Sequence, residues 1–171
     1  EAIWTLGSRP NKNFIPRLRQ FLDSKNAHEV GAAITALATA GDRASAPRII
    51  ELLRHEGTPQ VSVNRIALAA LATLGDPNCL PQIYPFLSHK DSSVRQTALH
   101  ALSTLADPAC LPQVFRLISD KEDRVRQSAF NVLAAFAKRA HRSTDPGWRE
   151  CLKHKDWFVR SAAIEALVTL A

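Results

Sequence analysis

Apolar residues recur at intervals of three and four through most of the chain, in two alternating registers. In the first register a proline stands at Pro16, Pro47, Pro81, Pro112 and Pro146, with apolar residues one place before it and two, five and six places after it. The set reads Ile15, Leu18, Phe21 and Leu22, then Ala46, Ile49, Leu52 and Leu53. It continues as Leu80, Ile83, Phe86 and Leu87, then Leu111, Val114, Leu117 and Ile118. The last unit keeps Trp148, Cys151 and Leu152 but has Asp145 in first place. This spacing predicts one apolar stripe on a helix of about ten residues. Its proline sits in the first turn, where a missing N–H has no carbonyl to meet. Asp76-Pro77 and Asp107-Pro108 also read as a cap followed by a first-position proline, and which proline opens the helix stays undecided. The second register is apolar at Val94, Ala98, Ala101, Leu102 and Leu105, an arc on one helical face.

The two registers repeat together. Leu80-Pro81-Gln82-Ile83-Tyr84 returns as Leu111-Pro112-Gln113-Val114-Phe115, an offset of 31. Asp91-Ser92-Ser93-Val94-Arg95-Gln96 returns as Glu122-Asp123-Arg124-Val125-Arg126-Gln127. The anchor leucines Leu37, Leu71, Leu102, Leu133 and Leu167 advance by 34, 31, 31 and 34. Tandem units of this length predict an all-α solenoid of stacked antiparallel helix pairs with no sheet. The expected organisation is a single array over 1–171. It comprises a partial repeat at 1–7 and repeats at 8–41, 42–75, 76–106, 107–141 and 142–171. Glu1-Ala2-Ile3-Trp4-Thr5-Leu6-Gly7 matches Glu165-Ala166-Leu167-Val168-Thr169-Leu170-Ala171, so a piece of a longer array is expected.

Arg95 falls near the middle of the buried arc, beside Leu102, and a charge there needs a partner. Asp91, four residues earlier, or an acid of the adjacent unit is the natural one. Arg126 with Glu122 or Asp123, and Arg160 with Asp156, repeat the arrangement, so a buried ladder of ion pairs is expected. Asn64 and Val30 hold the same place in earlier units, which puts the ladder in doubt there.

Asp-x-x-Val-Arg-x-x-Ala-x-x-Ala-Leu-x-x-Leu, preceded by Leu-Pro-x-Ile, resembles the HEAT family, and most of all the short HEAT-like repeats found in phycobilisome lyases and many bacterial proteins. The resemblance implies a right-handed α-solenoid that binds other proteins, with second helices lining a concave face. On that face stand Gln96, His100, Ser103, Gln127, Asn131, Ser161 and Glu165, with apolar Ile66, Ala69 and Ala72 toward the N-terminal half. The connection Ala140–Pro146 is a second candidate contact.

Charge and candidate chemistry narrow the function. The net charge of +6 is spread thinly, with one modest cluster at Lys138, Arg139, His141 and Arg142. A phosphate-tracking surface concentrates its cations on one face, so nucleic acid is disfavoured. No apolar run approaches the roughly 20 residues of a bilayer span, so this segment inserts in no membrane. The three cysteines, Cys79, Cys110 and Cys151, read as small core hydrophobes, which favours a reducing, cytoplasmic setting. His55, His89 and His154 share one place at the end of first helices, and read as caps on carbonyls rather than metal ligands. No Gly-rich phosphate loop, Gly-x-Ser-x-Gly elbow or His-Glu-x-x-His motif occurs. The expected function is a non-catalytic interaction or scaffolding module, needing no cofactor and no metal. Its partner is another protein or another domain of the same one. A nucleic-acid-binding or DNA base-repair protein and a phycobilin lyase-like subunit are the alternatives, the latter implied by the resemblance alone.

Overall fold

A computed structural model describes residues 12–54, 60–105 and 110–140, together with positions 152, 153, 157, 160, 161, 164 and 168. The partial repeat 1–7, the connection after Ala140, His55, His154, Cys151, Asp156 and Glu165 lie outside the described residues, as do the side chains of Lys138 and Arg139.

Among the described residues every regular element is helical. The α-helices are α1 (Ile15–Gln20), α2 (Ala27–Thr39), α3 (Ala46–Arg54), α4 (Gln60–Leu74), α5 (Leu80–Ile83), α6 (Ser92–Leu105), α7 (Leu111–Arg116) and α8 (Asp123–Ala140). The second helices α2, α4, α6 and α8 are the long ones. The first helices differ from the ten-residue expectation. α1, α5 and α7 are short and finish in 3₁₀ turns at Phe21–Asp23, Tyr84–Ser88 and Leu117–Ser119. Tightening to i→i−3 bonds satisfies carbonyls that an ending α-helix would orphan. In α5 the cause is explicit, because Pro85 has no N–H to give the carbonyl four residues back. The choice between the two prolines also resolves. Pro77 opens a 3₁₀ turn, Pro77–Cys79, capped by Asp76, whose carboxylate accepts the Asn78 N–H at 3.0 Å, and Pro81 then falls in the first turn of α5.

The ends of the long helices follow local chemistry. Asn26 caps α2 by accepting the His28 N–H at 3.0 Å, and Asp91 caps α6 by accepting the Ser93 N–H at 2.8 Å. α2 stops at Gly41, with φ 71°, as the Gly41 and Asp42 amides fold back to the carbonyls of Ala38 and Leu37. α4 stops in the same way at Gly75, with φ 65°.

The chain forms two compact units, Glu1–Ile83 and Tyr84–Ala171. In the first, α2 packs on α4, α1 on α2 and α3 on α4. Leu18, Leu22, Ile34, Leu37, Ile49, Leu68 and Leu71 are fully buried there. In the second, α6 packs on α8, the Tyr84–Ser88 turn on α6, and α7 on α8, around Leu87, Val94, Leu99, Leu102, Val114, Phe130 and Leu133. The buried arc is wider than the sequence pattern, since Leu68, Leu99 and Phe130 are also enclosed. A second helix that meets both its own first helix and a neighbouring second helix buries two flanks.

Candidate functional site

The packing leaves the outer sides of the second helices exposed, and their character differs between the units. In the first unit α2 and α4 run parallel, as Gly31 faces Ile66 partway along while Thr39 and Thr73 share the C-terminal end. The helices come close at Gly31, where an added Cβ would lie 2.9 Å from Ile66 Cδ1. Beyond that pinch they border a groove of about 200 Å³. Ala38, Ile66 and Ala70 form its floor, and Thr35, Thr39, Ala69 and Thr73 its exposed walls. The threonine hydroxyls are turned inward. Thr35 donates to the Gly31 carbonyl at 2.9 Å, Thr39 to Thr35 at 2.8 Å, and Thr73 to Ala69 at 3.0 Å. With their oxygens bonded to their own helices, the threonines offer the groove methyl groups, and its lining behaves as apolar. Sequence reading placed Ile66 and Ala69 here but missed the threonines, which look polar until their hydroxyl bonds are known; Ala72, named with them, is buried.

In the second unit the equivalent face is polar. Gln96 takes the place of Gly31, and its amide donates to Ser128 Oγ of α8 at 3.4 Å. Gln127 donates to Asn131 Oδ1 at 3.2 Å along α8. His100, Gln127 and Asn131 are exposed, and Ser103 is half-buried. Thus α6 and α8 bring Gln96, His100, Ser103, Gln127 and Asn131 onto one pair of neighbouring helices. Ser161 is exposed and helical.

The charged interior differs in detail from the expected ladder. Arg95 is buried, 5% exposed, and forms a two-pronged pair with Asp120, Nε to Oδ2 at 2.8 Å and Nη2 to Oδ1 at 2.7 Å. Its Nη1 donates to the carbonyls of His89 and Lys90, at 2.7 and 3.1 Å. Asp91, named as the local partner, is instead occupied by Ser93, because its place at the helix cap aims the carboxylate at the first-turn amides. Arg126 repeats the carbonyl contacts one unit later, with Asp120 at 2.8 Å and Lys121 at 3.2 Å, and pairs with Asp123. It is not a second buried bridge, since the Asp123 side chain is 87% exposed and Arg126 Nε is buried without a hydrogen-bond partner. In sequence, His154 stands at the place of Asp120 one unit later. Arg160 is half-buried. In the first unit Val30 and Asn64 are buried at the ladder position. There the enclosed inter-repeat carboxylate is Asp42, which Arg19 meets at 2.9 and 2.6 Å and to which Ser45 also donates, while Arg48 with Asp23 at 2.5 Å is a second, more exposed pair between the same repeats.

These contacts set the acidity of the buried carboxyls. Arg19 holds Asp42 below the usual carboxylate range against the opposing effect of burial. Burial pushes Asp120 up, but the Arg95 hydrogen bonds, the Glu122 amide and nearby charge outweigh it and leave the group below its ordinary value. Cys79 and Cys110 are buried free thiols, and burial with nearby Asp76 raises the Cys79 thiol to about 11. That protects it from forming the reactive thiolate at neutral pH. His89 does not cap carbonyls as expected from its position. Its Nδ1 accepts the Asp91 N–H at 3.0 Å and its ring stacks on Phe86. Among the described residues no group of three or more His, Cys, Asp or Glu is placed to hold a metal, and no helix is long and apolar enough to cross a membrane.

Amphipathic helix pairs, stacked through their second helices and tied by Arg–Asp bridges between successive units, define a helical-repeat protein of the α-solenoid class. Family models agree: HEAT repeats match residues 56–134, the HEAT repeat matches 146–171, and the PBS lyase HEAT-like repeat matches 30–55. The chain belongs to the HEAT-repeat family. The lyase-type model falls on the N-terminal half, where the quoted motif is weaker. No curated relative matches the chain. Among solved structures it is similar to a chain in a homology model of the full-length AP-3 complex, with TM-score 0.76, 14% identity and 98% of this chain covered. It spans only 33% of that AP-3 chain. It is also similar to the CpcE–CpcF complex of phycocyanin lyase from Nostoc sp. PCC7120, at TM-score 0.55 and 22% identity, covering 99% of this chain and 72% of that one. A computationally designed armadillo repeat protein for modular peptide recognition gives TM-score 0.57 and 16% identity, covering 97% and 90%.

Proposed function

We propose that the chain is a non-catalytic protein-interaction or scaffolding module that binds another protein, or another domain of its own, through the outer sides of its second helices. The observation that carries this reading is the division of labour among the described side chains. Those that are charged and buried serve the packing between units, while α2, α4, α6 and α8 keep an outer side that packing does not use. Buried Cys79 and Cys110 thiols favour a reducing compartment such as the cytoplasm.

The test is affinity capture with the whole chain, repeated with His100→Glu and Asn131→Glu. Both residues are exposed, so the variants should keep native helicity. A partner that binds the purified chain and is lost by both variants supports the reading. A partner retained by both, and equally by changes on α2 and α4, places binding elsewhere and sinks it.

A further inference from the structure

Positions 157, 160, 161, 164 and 168 are helical, and their spacing of three and four puts Ser161, Ile164 and Val168 on one side. By the repeat register, Ser161 and Ile164 take the places that Gly31 and Ile34 hold on α2, and Gln96 and Leu99 on α6. On both of those helices this is the side that meets the next second helix. Gly31 stands against Ile66 of α4, and Gln96 bonds Ser128 of α8. Ile66 and Ser128 are themselves equivalent positions, so one contact recurs in both units.

The cover changes in the last repeat. Ile34, Leu68, Leu99 and Phe130 are buried at one and the same place, whereas Ile164 is 53% exposed there. Val168, one turn further along that side, is 70% exposed, and its counterparts Ala38 and Ala72 are buried. The first helix shows the same contrast. Leu22, Leu53, Leu87 and Ile118 are buried at the place where Leu152 is 38% exposed. A solenoid end that faces water ordinarily carries polar residues. Here both helices of the unit keep aliphatic side chains at places that earlier copies bury, which is the chemistry of an interface.

We infer that this face docks one further helix pair of the same repeat type, seated on Ser161, Ile164 and Val168 as α4 is seated on α2. Its first helix covers Leu152. Exposure on both helices selects this occupant, because a segment covering the second helix alone would leave Leu152 in water. The recurring contact fixes the register: the docked helix sets against Ser161 the residue at the place of Ile66 and Ser128. The inference goes beyond the interaction reading, which concerns α2, α4, α6 and α8, and stands or falls apart from it.

The experiment joins a copy of residues 107–137 to the end of the whole chain, and separately a copy of residues 76–106. Ala171 is equivalent to Gly75 and Ala106, so each copy enters in register. Thermal unfolding is followed by circular dichroism, with and without Ile164→Asp. Each extension should add helical signal and raise the midpoint by at least about 5 °C. Ile164→Asp should remove most of that gain. In the unextended chain it should shift the midpoint by less than about 2 °C, since the side chain already meets water. Val168→Asp should repeat the pattern. Extensions that add no helix or no stability, or substitutions that cost the same with and without them, overturn the inference. So does a dimer of the unextended chain in sedimentation velocity that Ile164→Asp abolishes while the extensions add no stability, which would give the face to a second copy.

Discussion

Arg95 and Arg126 share a sequence pattern and differ in consequence. Arg95 is enclosed with Asp120, whose side chain is 8% exposed, so removing either partner strands a buried charge. Breaking such a pair from one side costs about 3–5 kcal/mol. Arg126 faces an open carboxylate, and pairs of that kind contribute about 0–1 kcal/mol. Arg95→Ala should therefore melt well below Arg126→Ala in a thermal denaturation series, and equal midpoints would contradict the difference in burial. The pH dependence follows from the same contacts. Asp42 and Asp120 sit below their ordinary value of 3.8 when folded. Their contribution to stability is thus full above that value and is lost as pH falls through the lower folded values. Denaturant unfolding between pH 5 and about pH 2 should show this loss. In Asp120→Asn the curve should be flatter, at lower overall stability.

At the scale of helices, the Gly31–Ile66 approach sets how closely α2 and α4 pack. Alanine is favoured over glycine in a helix interior by about 1 kcal/mol. A Cβ at Gly31 would meet Ile66 Cδ1 at 2.9 Å, the mobile end of that side chain. Gly31→Ala should be more stabilising in an Ile66→Val background, where the obstructing methyl is gone, than in the native chain. A double-mutant cycle by chemical denaturation measures the coupling. Gly75→Ala has no such compensation. With φ 65° at the end of α4 it should destabilise, and its strain is local to the turn. The helix caps were legible in sequence at Asp76. Asp91 was not, because an acid four residues before an arginine reads as an ion pair until the cap geometry claims it.

Across the molecule, contacts run between successive helices within each of two compact units. Such arrays gain stability from units and nearest-neighbour interfaces. Leu37 and Leu102 are both fully buried, one in each unit. Replacing such a residue with alanine costs about 2–5 kcal/mol. By hydrogen exchange, Leu37→Ala should speed exchange chiefly in α1 to α4, and Leu102→Ala chiefly in α6 to α8. Uniform acceleration along the chain in both variants would show a single cooperative block instead.

The repeat, the helical class and most of the core were determined by the sequence alone, since hydrophobic periodicity and a fixed offset are local properties that every copy restates. Leu37, Leu71, Leu102 and Leu133 needed only that regularity to be placed inside. The family followed from the same repeated residues. Tertiary structure decided what depends on the neighbouring unit. Asp120 rather than Asp91 holds Arg95 because the guanidinium reaches across 25 positions to the next unit, a pairing that local spacing does not encode. Threonines that read as polar line an apolar groove, because their hydroxyls bond the helix four residues back. Periodicity tells which side of a helix is buried; only the facing helix tells what the exposed side can bind.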